Sequence, residues 1–119
     1  MFVTMLYGKK YYHDKKIEDG YEVSNLELKL GQWDKHFDLH DYIMDNFADD
    51  FCQVWLDADD MRQILEALPD MGGTIDDADD AATQQAYDIA TFKTAIEWLE
   101  IPDISPFDSR SVRYEVIIY

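Results

Sequence analysis

The chain has 119 residues, of which 47% are hydrophobic, and it carries 26 acidic against 10 basic side chains, a net charge of −16. This length fits one domain over residues 1–119, and the apolar content is sufficient for a core, which excludes a globally disordered chain. A surface this negative repels nucleic acid and anionic membranes; it favours basic partners, or it serves solubility alone. The one cysteine excludes an internal disulfide and suits a reducing cytoplasm.

The first residues, MFVTMLYG, lack the length and the basic flank of a secretory signal. No apolar run approaches the roughly 20 residues that a membrane span needs. We therefore expect a cytoplasmic protein that makes no contact with a membrane.

The first third of the chain predicts strands. MFVTMLY is rich in β-formers, and GKKYYHDKKIEDG reads as a polar connection or a hairpin. In YEVSNLELKL the alternation of Leu26, Leu28 and Leu30 favours a strand. A helix that begins after Ser24 is also compatible with residues 23–30.

The clearest predicted element is an amphipathic helix over about residues 32–47. At 100° per residue one face is apolar and consists of Trp33, Phe37, His40, Ile43, Met44 and Phe47. The opposite face carries the acids Asp34, Asp38, Asp41 and Asp45, and Asp49 would continue the row.

The second half predicts a strand at FCQVWL, two helices and a closing strand at SVRYEVIIY. Asp57 is the expected N-cap of the first of these helices, with Asp59 and Asp60 in its first turn and Pro69 after its end. The second helix runs from about Gln84 to Glu100, and IPDISPFD is a loop. Together these elements predict an α+β fold: a small, mostly antiparallel sheet of three to four strands, covered by about three helices. The residues expected to face the core are Met61, Ile64, Leu65, Leu68, Ile89, Phe92, Ala95, Ile96 and Leu99.

The acidic stretch GTIDDADDAATQQAYD does not fit a calcium-binding EF-hand loop. If Asp77 is position 1, Ala81 falls where a ligand is needed, Ala82 where glycine is needed, and Asp88 where a bidentate glutamate is needed. We therefore expect no calcium cofactor here. The stretch is predicted to belong to a continuous, partly flexible negative surface.

Other chemistries also lack their signatures. His36 and His40 have metal-ligand spacing, but no further ligand accompanies them, and His40 falls on the apolar face, as a core or boundary histidine would. Cys52 reads as a small core residue, and no nucleophile elbow or glycine-rich phosphate loop is present. We expect a protein that is not an enzyme and binds neither metal nor cofactor.

KKYYHDKK interleaves bases with tyrosines, a pattern that can hold nucleic acid. On a molecule of charge −16 we expect no direct nucleic-acid binding. The segment fits a local docking patch equally well, or a contact with the acidic surface of a second copy, which leaves a homodimer open.

The predicted binding surface is the set of aspartates. Helical neighbours of like charge repel by a few tenths of a kcal/mol, and few lysines are interspersed here to relieve that. Regular carboxylates can imitate the phosphates that basic clefts bind. We expect a host protein with a basic nucleic-acid-binding cleft to contact Asp34, Asp38, Asp41, Asp45, Asp49, Asp50, Asp57, Asp59, Asp60, Asp76, Asp77, Asp79 and Asp80.

From Trp33 onward the chain resembles a family of small uncharacterised phage and mobile-element proteins. Those proteins share a helix of the form Tyr-Trp-Arg-Lys-x-Asn-x-Ile-His-x-Trp-Phe, an Asp-Cys strand and a Leu-rich helix. The match rests on QWDKHFDLHDYI, DDFCQVWL, MRQILEAL, AYDIATFKTAIEWLE and SVRYEVIIY. Asp34 and Phe37 replace the family's Arg and Asn, so roles that depend on those two residues do not carry over. The resemblance implies a fold and a phage or mobile-element setting, and therefore the cytoplasm of a bacterial host, but no chemistry.

These expectations predict a DNA-mimicking inhibitor of a host defence protein, of the anti-CRISPR or anti-restriction type. The alternative is a small accessory or scaffold protein that binds through an apolar surface, with its charge serving solubility. An exposed Trp33, Trp55 or Trp98 would favour this alternative.

Overall fold

A computed structural model describes residues 2–48, 53–71, 78–103 and 107–118, with the backbone alone at 13–18, 78, 79 and 118. The strands are β1 (Phe2–Glu18), β2 (Tyr21–Asp34), β3 (Gln53–Leu56) and β4 (Ser109–Ile118). The helices are α1 (Phe37–Phe47), α2 (Ala58–Ala67), continued by a 3-10 turn at Leu68–Asp70, and α3 (Ala78–Glu100). The described strands form one antiparallel sheet in the order β2-β1-β4-β3. The predicted α+β fold is confirmed.

The first two strands form a long hairpin. Asp19 and Gly20 connect them with φ angles of 52° and 81°, the left-handed conformation that two-residue hairpin turns favour. GKKYYHDKKIEDG is therefore strand up to Glu18, followed by the turn, and residues 23–30 are strand. The 17 residues of β1 would span about 55 Å at about 3.3 Å per residue. This length accounts for the molecule's long dimension of 50 Å.

The predicted start of the first helix, near residue 32, was wrong. Trp33 and Asp34 belong to β2, where Gly31 and Trp33 alternate as buried positions on the same side of the sheet. The strand ends where Lys35 takes a φ of 57° and its N–H donates to the carbonyl of Phe2, and α1 begins at Phe37. The buried residues of α1 are Leu39 and Ile43, whereas Phe37, predicted on the apolar face, is 45% exposed.

The remaining elements lie close to their predicted places. FCQVWL supplies β3, Asp57 caps α2, and SVRYEVIIY supplies most of β4. The third helix begins at Ala78, about six residues earlier than predicted, so the end of the acidic stretch is helical. Acidic side chains in a first turn interact favourably with the positive end of the helix dipole, which favours this earlier start.

The core lies between one face of the sheet and the helices. Strand residues at alternate positions point into it, and Trp33 stacks on Phe92 with ring centroids 5.7 Å apart. Most of the predicted inward residues are buried, and Leu65, Ile89, Ile96 and Leu99 pack at its border. The fully buried large side chains include Trp33, Tyr114, Phe92, Leu6, Leu39, Ile43, Met61, Ile64, Leu68 and Val112.

Candidate functional site

The acidic side chains of α1 lie on the side of the helix that faces solvent. Asp41 and Asp45 are exposed and Asp38 is half-buried, at the three- and four-residue spacing that keeps side chains on one side of a helix. Their axial separation is about 5 Å. Asp34, predicted as the first member of this row, is exposed at the end of β2 instead, so the helical row consists of three aspartates.

The acids at the start of α2 have local structural roles. Asp57 Oδ1 accepts from the Asp60 N–H at 2.7 Å, and the Asp57 N–H donates to Asp60 Oδ2 at 3.1 Å. This capping box accounts for both residues. Burial raises the pKa of Asp60; the hydrogen bond from the Asp57 backbone opposes that rise, and the charges of Asp57 and Asp59 add to it. Asp57 and Asp59 are exposed, and Asp59 pairs with Arg62.

Asp34 and Asp80 line one shallow cleft between the end of β2 and the first turns of α3. The cleft has a volume of about 490 Å³, and the phenol of Tyr87 stands at its wall, where it accepts the N–H of Gln32 at 2.9 Å. Asp79 lies in α3, but its side chain is outside the described atoms. The predicted positions Asp49, Asp50, Asp76 and Asp77 lie outside the described residues.

The one base between residues 36 and 92 does not relieve this negative charge. Arg62 Nη1 contacts Asp59 Oδ1 at 3.0 Å, and Nη2 contacts Glu100 Oε1 at 2.6 Å. Because Arg62 pairs with two carboxylates, it does not compensate the charge of the remaining acids. The surface of the helices stays strongly negative.

A buried polar network, which the sequence analysis missed, joins β2, α1 and α3. Asp88 is 1% exposed; its Oδ1 accepts from Trp33 Nε1 at 2.7 Å and from Gln84 Nε2 at 2.9 Å. Its Oδ2 lies 2.7 Å from Nε2 of buried His36. The helical spacing of Asp88 with Phe92 and Ala95 was a signal that Asp88 faces inward. Both oxygens of this carboxylate have hydrogen-bond partners, so the network connects β2, the start of α1 and α3.

The two histidines do not share a ligand site. His36 precedes α1 and contacts Asp88, whereas His40 Nδ1 lies 3.0 Å from the Tyr114 hydroxyl. His40 packs edge-on against Phe2 and is a boundary histidine, as predicted. Among the described residues, no three His, Cys, Asp or Glu side chains come together as metal ligands. Cys52 lies outside the described residues.

The basic segment KKYYHDKK is partly neutralised by acids of the same chain. Lys10 Nζ contacts Asp103 at 3.0 Å and Asp108 at 3.9 Å, and Arg110 Nε donates to Asp103 at 2.9 Å. Burial alone would raise the pKa of Asp103, but the hydrogen bonds from Lys10 and Arg110 hold it below its usual range. Lys10 is thus used to anchor β1 to the loop before β4.

No family model, curated protein or solved structure gives a significant match to this chain. None of the helices in the described segments is long and apolar enough to cross a bilayer. The placement of charge is therefore the main guide to function.

Proposed function

We propose that the protein is a non-enzymatic, acidic interaction protein of phage or mobile-element origin. Its helices bind a basic nucleic-acid-binding cleft on a host protein and block it as a DNA mimic, in the manner of an anti-CRISPR or anti-restriction inhibitor. The observation that carries the proposal is the solvent-facing aspartate row Asp38, Asp41 and Asp45 on a helix without basic residues.

The row fits a recognition surface because its charges are held on a rigid element. Aspartate places its carboxylate close to the backbone, so less side-chain entropy is lost when a partner fixes it. Such a surface also steers a basic partner toward itself over distances set by the salt concentration. The exposed Asp59 and Asp80 add to the same negative field.

The test is a pulldown from nuclease-treated bacterial lysate, with Asp38→Asn/Asp41→Asn/Asp45→Asn as the altered variant. We expect the wild-type chain to retain a nucleic-acid-binding protein at about 0.1 M salt and to lose most of it at about 0.5 M. The triple variant should retain far less, and a duplex DNA oligonucleotide should displace the retained protein from the wild type.

The matched control neutralises acids of the hairpin, which lie outside the helices. Glu22→Gln/Glu27→Gln removes exposed charge from β2 and should leave the retained protein unchanged. A partner that the triple variant retains as well as the wild type does, or that DNA does not displace, contradicts mimicry by this row.

One observation favours the alternative, an accessory protein that binds through an apolar surface. Trp33 and Trp98 are buried, but Trp55 is 49% exposed. A large exposed aromatic side chain is the type of residue that dominates protein interfaces. Retention of a partner that is lost on Trp55→Ala, and not on neutralisation of the row, would favour this function.

A further inference from the structure

The sheet has a second face that no described helix covers, and Trp55 stands on it. The strand register aligns Lys29, Tyr7, Arg113 and Trp55 in one row across all four strands. The rows that carry core residues, such as Gly31, Leu6, Tyr114 and Val54, alternate with this one, because successive side chains of a strand point to opposite faces. We call the side that carries Trp55 the open face.

Arg113 organises the middle of the open face. Its guanidinium lies 5.1 Å from the ring centre of Tyr7 and 5.8 Å from that of Trp55. It also contacts the carboxylates of Glu27 and Glu115. These contacts hold the two aromatic rings and the charges in fixed positions, so the face is prearranged for binding and loses little entropy when it is covered.

The charge of the open face differs from that of the rest of the molecule. Its rows from Asp34 to Asn25 carry the bases Lys9, Lys29 and Arg113 and the acids Glu27, Asp34 and Glu115, a balance of zero. The whole chain carries −16. Two copies can therefore meet at this face with their acidic helices on the outer sides, where the repulsion between them is weakest.

The open face is large enough for a stable contact between two copies. The ten-residue register of β1 with β4 is about 33 Å long, β2, β1 and β4 are together about 14 Å wide over that length, and β3 adds a fourth strand over four residues. The flat footprint is on the order of 500 Å²; the projecting side chains add accessible area to it, and a standard interface buries roughly 800 Å² per partner. Antiparallel sheets can stack in this way, about 10 Å apart.

We propose that the open face binds the open face of a second copy, which makes a two-fold dimer with the sheets inside and the acidic helices outside. In this dimer the apolar surface of the alternative function is the open face, and its partner is a second copy of the chain. It does not depend on the aspartate row, which lies on the other side of the molecule. A monomeric protein would therefore leave the DNA-mimic proposal standing, and a failed pulldown would leave the dimer standing.

Salt should affect this dimer in the opposite direction to a complex held together by ion pairs. Because both copies are strongly negative, raising the salt from about 0.05 M to about 0.5 M screens their repulsion and should strengthen the dimer. Pairing of the hairpin's bases with the acidic helices of another copy would instead weaken as salt rises. Sedimentation velocity over about 5 to 200 µM protein separates the two, since the dimer has twice the monomer mass of 14.0 kDa.

Two variants locate the contact. Trp55→Ala removes an aromatic side chain of the open face and should raise the dissociation constant at least tenfold. Phe37→Ala removes a similarly exposed aromatic side chain, 45% exposed, from the first turn of α1 on the other side of the sheet and should leave dimerisation unchanged. Acrylamide quenching of the wild type provides a readout without mutation, because Trp55 is the one tryptophan that is not buried and should become protected as concentration rises.

A salt-strengthened dimer that depends on Trp55, or protection of Trp55 with concentration, supports the proposal. A wild-type chain that stays monomeric to about 200 µM at high salt overturns it. So does association that salt weakens, or a dimer that forms equally well with Trp55→Ala. If Trp55→Ala does not fold, the quenching measurement on the wild type decides the question alone.

Discussion

At the scale of single residues, Asp88 should contribute strongly to the free energy of unfolding, because its carboxylate joins the buried polar network. Asp88→Asn keeps the shape but replaces one acceptor oxygen by a donor, which then faces His36 or the donors Trp33 and Gln84. The charge-assisted hydrogen bonds of the carboxylate are lost, and a nitrogen that faces Trp33 and Gln84 sets a donor against donors, so the substitution should cost about 2–4 kcal/mol. We expect urea unfolding, followed by circular dichroism, to show that loss in the free energy of unfolding.

The control for Asp88 is Glu97→Gln, nine residues later on the same helix. Glu97 is exposed, so its neutralisation should change stability by no more than about 0.5 kcal/mol. Equal effects of the two substitutions would mean that the buried network does not hold α3 against β2 and α1.

His40 should make stability depend on pH. Burial lowers its pKa, and the charges of Asp41 and Asp45 oppose this only in part. The unfolded chain takes up the proton near pH 6.5, whereas the folded chain takes it up only at lower pH. The unfolded state therefore binds more protons as pH falls below about 6.5, and the stability present above that pH is lost as pH falls through the folded pKa.

The measurement compares wild type with His40→Gln, which cannot titrate. Between about pH 7.5 and 5.5 the wild type should lose more unfolding free energy than the variant. The protonation of carboxylates affects both proteins alike, so the difference isolates the imidazole. Parallel curves would show that His40 carries no such penalty.

At the scale of elements, local chemistry made most of the fold predictable. The apolar alternation of β2, the Asp57 cap of α2 and the spacing of Phe92 and Ala95 on α3 are each encoded within a few residues. The start of α1 was not predictable in this way, because the chain turns at Lys35 through a left-handed conformation without glycine. The spacing of Asp88 with Phe92 and Ala95 indicates the side of α3 on which it lies, but its partners Trp33 and His36 are more than fifty residues away, so no local pattern could predict the network.

α3 packs closely on β2 because residue 31 is a glycine and has no Cβ atom. A Cβ at Gly31 would lie 2.5 Å from Cγ2 of Thr91, well inside contact distance. Gly31→Ala should therefore destabilise the protein by about 1–3 kcal/mol. Thr91→Ser removes that methyl group, so the double variant Gly31→Ala/Thr91→Ser should be more stable than the sum of the two single changes predicts.

Thermal or urea unfolding of the two single variants and the double variant gives this coupling as a thermodynamic cycle. Simple additivity would contradict it. In that case the cost of Gly31→Ala would lie in the strand itself and not in the contact between α3 and β2.

At the scale of the whole molecule, the two sides of the sheet carry different charge. On the open face Arg113 pairs with Glu27 and Glu115, whereas the helices on the other side carry nearly unbalanced acid. The sequence shows that acid is concentrated in residues 36–92, with fifteen acidic side chains against one lysine or arginine, because charge counts need no structure. It did not predict that Asp34 leaves the helical row or that Trp55 lies on an open sheet face, because both depend on where β2 ends and on how β3 pairs with β4.

Unbalanced acid should cost folding stability, and α1 gives a direct test. Asp41 has like-charged neighbours at Asp38 and Asp45, and Asp45 also lies in the last turn, where the helix dipole disfavours a negative charge. Asp41→Asn/Asp45→Asn should therefore stabilise the protein by about 0.5–1.5 kcal/mol at low salt, from relieved repulsion of a few tenths per pair and the dipole term.

This gain should fade as salt rises to about 0.5 M, because the repulsion is screened. The matched control is Asp59→Asn, which should give no gain because Asp59 is paired with Arg62. Urea unfolding of the three proteins at two salt concentrations makes the comparison. A gain that persists at high salt would show that electrostatic repulsion is not its cause. A gain that salt screens would mean that the acids of α1 weaken the fold. Because mutations that improve stability alone are readily found, charges that weaken the fold are expected on a surface kept for binding.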